Sequence, residues 1–171
     1  AKKTKSKKDW TSIIDLPRLK DIGLGRLQAY TAQSKYNFLT NATAVIDLCA
    51  APGGWMQVCA NTMPPNSTII GVVLIKSKKF LGLCHSKEIS RSLKLMKVEK
   101  IVKGRKCDAV LNDGAPNVGA NWSKDAYTQS ELVLAAFKLA TDFLKPGGYF
   151  ITKIFRSTDT NSLMWVFKKF F

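Results

Sequence analysis

The run Val45-Ile46-Asp47-Leu48-Cys49-Ala50-Ala51-Pro52-Gly53-Gly54-Trp55 carries an apolar strand into an acid and then into a small-residue bend that opens a helix. Such a strand–turn–helix is a nucleotide-type pocket, yet it lacks the three glycines that let a backbone approach a pyrophosphate. Only Gly53 and Gly54 are glycine here. An acid at the strand end, a compact bend and the aromatic Trp55 suit a ligand with a carboxylate, a ribose and a cationic centre but no phosphate. S-adenosylmethionine answers that description, with Asp47, Gly53, Gly54 and Trp55 as its candidate contacts.

Two further positions belong with this turn. Asp113 ends the apolar stretch Val110-Leu111-Asn112 and is followed by Gly114-Ala115-Pro116-Asn117-Val118-Gly119. Alone, it reads equally well as a helix cap or the start of an Asp-Gly turn. Lys153 lies inside Phe150-Ile151-Thr152-Lys153-Ile154-Phe155. A lysine in a central apolar strand is seldom buried without a partner, so chemistry accounts for it better than packing does.

These residues need elements to hold them. Hydrophobic periodicity and breakers predict a helix within 24–39, a strand at 43–48, a helix from Gly53 and a strand at 68–74. A basic connection follows, then a helix around 87–102, a strand at 107–112, a long helix about 124–144, a strand at 148–155 and a helix from 160. On the long helix Val133, Ala136, Phe137, Ala140 and Leu144 share one face and read as core. Pro146-Gly147-Gly148 ends it. Alternating strands and helices predict an α/β fold with a doubly wound, mostly parallel sheet, in which Asp47, Asp113 and Lys153 meet at the carboxyl ends of strands.

A chain of 171 residues, 46% hydrophobic, is one domain's worth. The expected division is a basic tail over residues 1–9, opened by Ala1-Lys2-Lys3-Thr4-Lys5-Ser6-Lys7-Lys8, and a folded domain over 10–171. Lysine and arginine number 27 against 12 acids, a formal charge of +15, which exceeds what solubility asks and favours a polyanion such as RNA. No apolar run reaches the roughly 18 residues of a membrane helix, and none of Cys49, Cys59, Cys84 and Cys107 has metal-ligand spacing. Neither a membrane nor a metal is expected, and the cysteines read as buried thiols of an intracellular protein.

Taken together, the Asp47–Gly53 run, Asn112 to Gly119, Asp125-Ala126-Tyr127 and Phe155-Arg156-Ser157 resemble the FtsJ-type RNA 2′-O-methyltransferases over residues 43 to 171. The likeness is strongest to the eukaryotic nucleolar branch that modifies large-subunit pre-rRNA. The resemblance implies a Rossmann-like class I methyltransferase fold that lacks the family's last strands, since the family's final catalytic glutamate falls past Phe171. It implies S-adenosylmethionine as cofactor, held by Asp47, Gly53, Gly54, Trp55, Glu88 and Asp113, and catalysis by Lys153 and Asp113. Lys153 would accept the proton of the attacking 2′-hydroxyl. A ribosomal RNA precursor within a pre-ribosomal particle is the implied partner, beside other assembly factors, for a monomeric domain in the nucleus and nucleolus.

Departures from the pattern are equally specific. The acid that holds the cofactor ribose in the family falls at Val73, and a first catalytic lysine falls at Gln28 unless Lys35 serves in a shifted register. These two favour a second reading, a non-catalytic RNA-binding assembly module, whereas Asp47, Gly53, Asp113 and Lys153 favour the enzyme. A dehydrogenase lacks its third glycine and its acid at Val73, and a base-directed methyltransferase expects an aromatic after the fourth strand where Asp113-Gly114 stands. If phosphate contacts drive binding, RNA affinity falls steeply with salt, and deleting residues 1–8 flattens the log K against log salt slope. A salt-independent affinity would contradict a phosphate-tracking surface.

Overall fold

The computed structural model describes residues 22–72, 104–115 and 122–170. Its elements are α1 (Ile22–Tyr36), β1 (Ala44–Asp47), α2 (Gly54–Thr62), β2 (Thr68–Gly71), β3 (Cys107–Asn112), α3 (Trp122–Phe143), β4 (Leu144–Thr152) and α4 (Thr160–Phe167). The four described strands form one sheet in the order β2-β1-β3-β4, and every pairing is parallel. The α/β expectation therefore holds for the described residues. Those expected at 73–74, the helix about 87–102 and the tail lie outside them.

Burial on both faces explains the parallel sheet, because its strands read as continuous apolar runs rather than alternating ones. All six residues of β3 are buried. One face packs Ile46, Val110 and Phe150 against Val133, Ala136, Phe137 and Ala140 of α3 and against Phe167 of α4. Phe137 meets the rings of Phe150 and Phe167 at 5.8 and 4.9 Å, which ties α3, β4 and α4 together. The other face packs Val45, Ala109, Leu111 and Ile151 under Ala29 and Ala32 of α1 and Trp55 and Val58 of α2. Helix α1 stops at Tyr36 because Asn37 takes the left-handed conformation (φ 47°) and its N–H donates to the Gln33 carbonyl.

Strand β4 departs from its expected limits at both ends. Leu144, expected as the last helical core residue, is already paired with Cys107, and Pro146-Gly147-Gly148 forms an irregularity within the strand rather than a turn before it. A side chain at Gly148 would come within 3.0 Å of the Asp108 carbonyl, so the detour packs closely on β3. At the far end the ladder closes at Asn112–Thr152, which leaves Lys153 one residue beyond the strand.

Asp108 locks the amino ends of the sheet. Its Oδ2 accepts from Thr43 N (2.8 Å), Thr43 Oγ1 (3.0 Å) and Ala44 N (2.9 Å), and its Oδ1 pairs with Lys145. Burial opposes its charge, but the Lys145 ammonium and the Ala44 and Thr43 donors outweigh it and hold the carboxyl below its usual range. A lowered folded value stabilises the protein above the ordinary carboxylate range and is lost as pH falls through the folded value. Asp108→Ala is expected to destabilise the protein by roughly 1–3 kcal/mol at pH 7, with the gap closing under strongly acid conditions. Urea titrations at pH 7 and pH 3 that show the same gap would contradict this account.

Candidate active site at the carboxyl ends of the strands

From β1 the chain leaves toward β2 on one side, while β3 and β4 lie on the other, so the strand order reverses between β1 and β3. Such a switch point opens a crevice outside the carboxyl ends. The loops after β1 and β3 meet closely there. A side chain at Gly114 would strike Cys49 Sγ at 2.7 Å and Asn112 Oδ1 at 3.0 Å, so only glycine fits. The first loop is fastened on both flanks, by Leu48 N to the Leu111 carbonyl (2.9 Å) and by Ala50 N to the Val72 carbonyl (3.1 Å).

Asp47 is 1% exposed and accepts from Cys49 N at 3.2 Å. Burial pushes its carboxyl up to about 7 and the charge of Asp113 pushes the same way, while the Cys49 hydrogen bond works against both. Lys153 Nζ lies 2.5 Å from Asp113 Oδ1 and 3.0 Å from the Asp113 carbonyl, with the two side chains 12% and 20% exposed. The expected meeting of Asp47, Asp113 and Lys153 is thus real. The lysine also has the partner that burial demands, one provided by the adjoining strand end.

The bend residues divide their roles. Gly53 has φ +109°, and a side chain there would meet nothing within 4 Å, so it supplies the left-handed turn and borders open space. Gly54 is a packing residue, since a Cβ would come within 3.0 Å of Arg26 N on α1. Trp55, which the sequence allows equally as a cofactor contact or a core residue, packs as core. It is 6% exposed and belongs to the core beneath α1, with its indole N–H buried and unpaired among the described residues. What it can offer a ligand is its main-chain N–H. The first bond of α2 runs from Gln57 N to the Gly53 carbonyl, which leaves the N–H groups of Gly54, Trp55 and Met56 without helical acceptors.

Gln28 is buried on α1, one turn after Gly25, where a Cβ would lie 3.5 Å from Asp113 Oδ2. Lys35 is exposed in the last turn of α1 and sits over the Tyr36 ring at 5.1 Å. Ten residues of helix separate it from Gly25, roughly 15 Å, so it does not reach the crevice. Val73 and Glu88 lie outside the described residues. Burial pushes the thiols of Cys59 and Cys107 up to about 12, which makes them inert.

One residue with a hold on this site escaped the sequence reading. Gln129 of α3 is fully buried; its Nε2 donates to the Lys153 carbonyl at 2.5 Å, and its Oε1 accepts from Phe155 N at 3.1 Å. The signal was its spacing. Gln129 lies four residues before Val133, on the apolar face of the helix, where an amide must have partners.

A doubly wound parallel sheet with an acid, a glycine bend and a carboxylate–lysine pair at its switch point defines a Rossmann-like, methyltransferase-type α/β protein. A Plasmodium falciparum ribosomal RNA methyltransferase structure, described as putative, superposes with a TM-score of 0.64 at 22% identity, covering 85% of this chain and 84% of that one, a likeness of fold. Residues 29–171 match the family described as FtsJ-like methyltransferase, and the chain belongs to that family. It is 51% identical over 140 residues to a "pre-rRNA 2'-O-ribose RNA methyltransferase" of Dictyostelium discoideum, covering 80% of this chain and 17% of that one. It is 50% identical over 139 residues to the "AdoMet-dependent rRNA methyltransferase spb1" of Schizosaccharomyces pombe, covering 80% and 17%. The chain therefore spans about a sixth of the length of these relatives.

Because the Asp47 carboxyl is raised in the folded state, folding takes up a proton between the ordinary carboxylate range and about pH 7, and stability falls as pH rises through that interval. Asp47→Asn retains an acceptor for Cys49 N and removes the buried charge. Its stability relative to wild type is expected to improve by roughly 2 kcal/mol between pH 5 and pH 8. Denaturant titrations that give the same difference at both values would show that Asp47 is not held toward its neutral form.

Proposed function

We propose that this chain binds S-adenosylmethionine at the switch-point crevice and methylates a ribose 2′-hydroxyl of a ribosomal RNA precursor during large-subunit assembly in the nucleolus. The observation that carries the reading is an acidic crevice in a strongly basic chain. Among the described residues, Asp47 and Asp113 converge there with one ammonium, Lys153, while the chain as a whole carries +15. Two carboxylates with one cation suit a ligand that is positive at its reacting end, whereas the basic remainder suits phosphates.

The residues present fit the cofactor. The three main-chain N–H groups at the start of α2 would receive its carboxylate, and the space beside Gly53 lets the ligand approach the backbone. Asp47 stands ready for its ammonium group. When bound, S-adenosylmethionine supplies an electrophilic methyl on a sulfonium. Lys153 is placed to accept the proton that the ribose 2′-hydroxyl would give up on attacking that methyl. Asp113, already within 2.5 Å, holds the resulting ammonium.

A second reading, an RNA-binding assembly module without turnover, would rest on Gln28, a buried neutral amide where the family resemblance expects a lysine, and the matched relatives, named as methyltransferases, do not favour it. One experiment separates the two. The full chain is titrated with S-adenosylmethionine by calorimetry, then incubated with labelled cofactor and large-subunit precursor RNA, and alkali-resistant ribose sites are mapped. Wild type is expected to bind and to label ribose, and Lys153→Met to keep both binding steps while methyl transfer falls at least 100-fold. Label on a base, or undiminished transfer in Lys153→Met, would remove Lys153 from the reaction. Binding of both ligands without transfer would favour the assembly module, and Gln28→Lys would then be the variant in which activity is sought.

A further inference from the structure

We infer that Gln129 is the positioning residue for Lys153, acting as a one-residue substitute for a strand that has left the sheet. This rests on the proposed role of Lys153 and adds the device that holds it in place.

In a parallel ladder one residue of a bonded pair donates to the carbonyl before its partner and accepts from the N–H after it, and every second residue of that strand does so. Asn112 bridges Thr152 in this way, and the Asn112 carbonyl accepts from Lys153 N at 3.1 Å. Two residues on, Gly114 would bridge Ile154 by donating to the Lys153 carbonyl and accepting from Phe155 N. It does neither job, because its N–H turns back toward Asn112 Oδ1 (3.4 Å). The side-chain amide of Gln129 makes both missing bonds, to the Lys153 carbonyl at 2.5 Å and from Phe155 N at 3.1 Å. A primary amide has the donor and acceptor of a peptide group, so it completes the next rung opposite Ile154.

Turning β3 aside at Asp113 frees the Asp113 carboxylate and carbonyl to approach Lys153 Nζ. Without a replacement rung, the segment carrying Lys153 would lose its anchorage at the point where the pair forms. Phe155, held by the same amide, is also stacked by Trp122 at 5.6 Å, which fixes the segment from its far side. A second buried bond, Asn112 Nδ2 to Thr152 Oγ1 at 3.0 Å, ties the last rung of the true ladder. Gln129 touches no reacting atom and works through Lys153.

The test uses the full chain in two variants. Gln129→Met keeps the length and removes both bonds. Gln129→Glu, when ionised, keeps the acceptor for Phe155 N and loses the donor to the Lys153 carbonyl. The direct readout is the hydrogen-bonded lysine ammonium signal in proton–nitrogen correlation spectra, assigned by its loss in Lys153→Met. Wild type is expected to show one protected signal and both variants to lose it while their folded backbone spectra persist. For methyl transfer, kcat is expected to fall 10- to 100-fold with KM for cofactor and RNA within about twofold of wild type. A Gln129→Met protein that unfolds passes the decision to Gln129→Glu. A wild type with no protected ammonium, or a folded variant that retains it, overturns the proposal. A wild type that shows the signal but never transfers a methyl group refutes the methyltransferase reading and leaves Gln129 to be judged by the ammonium alone.

Discussion

The contact between the Lys153 ammonium and Asp113 sets the terms for its surroundings. Both groups are mostly removed from water, and an ion pair so placed loses hydration that its mutual attraction only partly restores. Breaking such a pair is expensive, yet keeping it adds little to stability, so its retention points to use rather than cohesion. Geometry then becomes demanding. The two residues come from neighbouring strands, and they meet only because β3 and β4 run parallel in a fixed register and end together at Asn112 and Thr152.

That register is secured from the opposite edge of the sheet. Asp108 gathers the first residues of β1 and the Lys145 ammonium of β4 onto a single carboxylate, which aligns three strands at their amino ends. The aromatic cluster of Phe137, Phe150 and Phe167 clamps β4 under α3 and α4. Two fixed points thus hold the strand ends from which the bend at Asp47–Gly53 and the residues 113–115 leave the sheet.

Much of this was legible in the sequence because it rests on local rules. Apolar runs ending in Asp47 and Asn112, glycines after them and a periodic helix on Val133 to Ala140 each state their element directly. The convergence of Asp47, Asp113 and Lys153 followed from the rule that ligands gather at strand ends. What escaped depends on long-range contacts. Whether Trp55 points at a ligand or into the core is decided by α1, which contributes Ala29 and Ala32 to the same cluster. Gly54 carries no mark that it must admit the backbone of Arg26. The limits of β4 moved because Cys107 could pair with Leu144 across a detour, which outweighed the turn signal of Pro146-Gly147-Gly148. Gln129 was passed over for the opposite reason: a polar residue within a mostly polar helical stretch attracts no notice until its turn of helix is seen to be inside.

The two acids at opposite ends of the sheet have one more consequence. Asp108 is held charged and Asp47 is held toward neutrality, so acidification weakens the amino end while it relaxes the carboxyl end. Between the folded value of Asp108 and that of Asp47, both acids are in the form the fold favours. A cation brought beside Asp47 would favour the charged form that burial disfavours. A cationic ligand taken up there would therefore act as a structural counter-ion and make the chain harder to unfold.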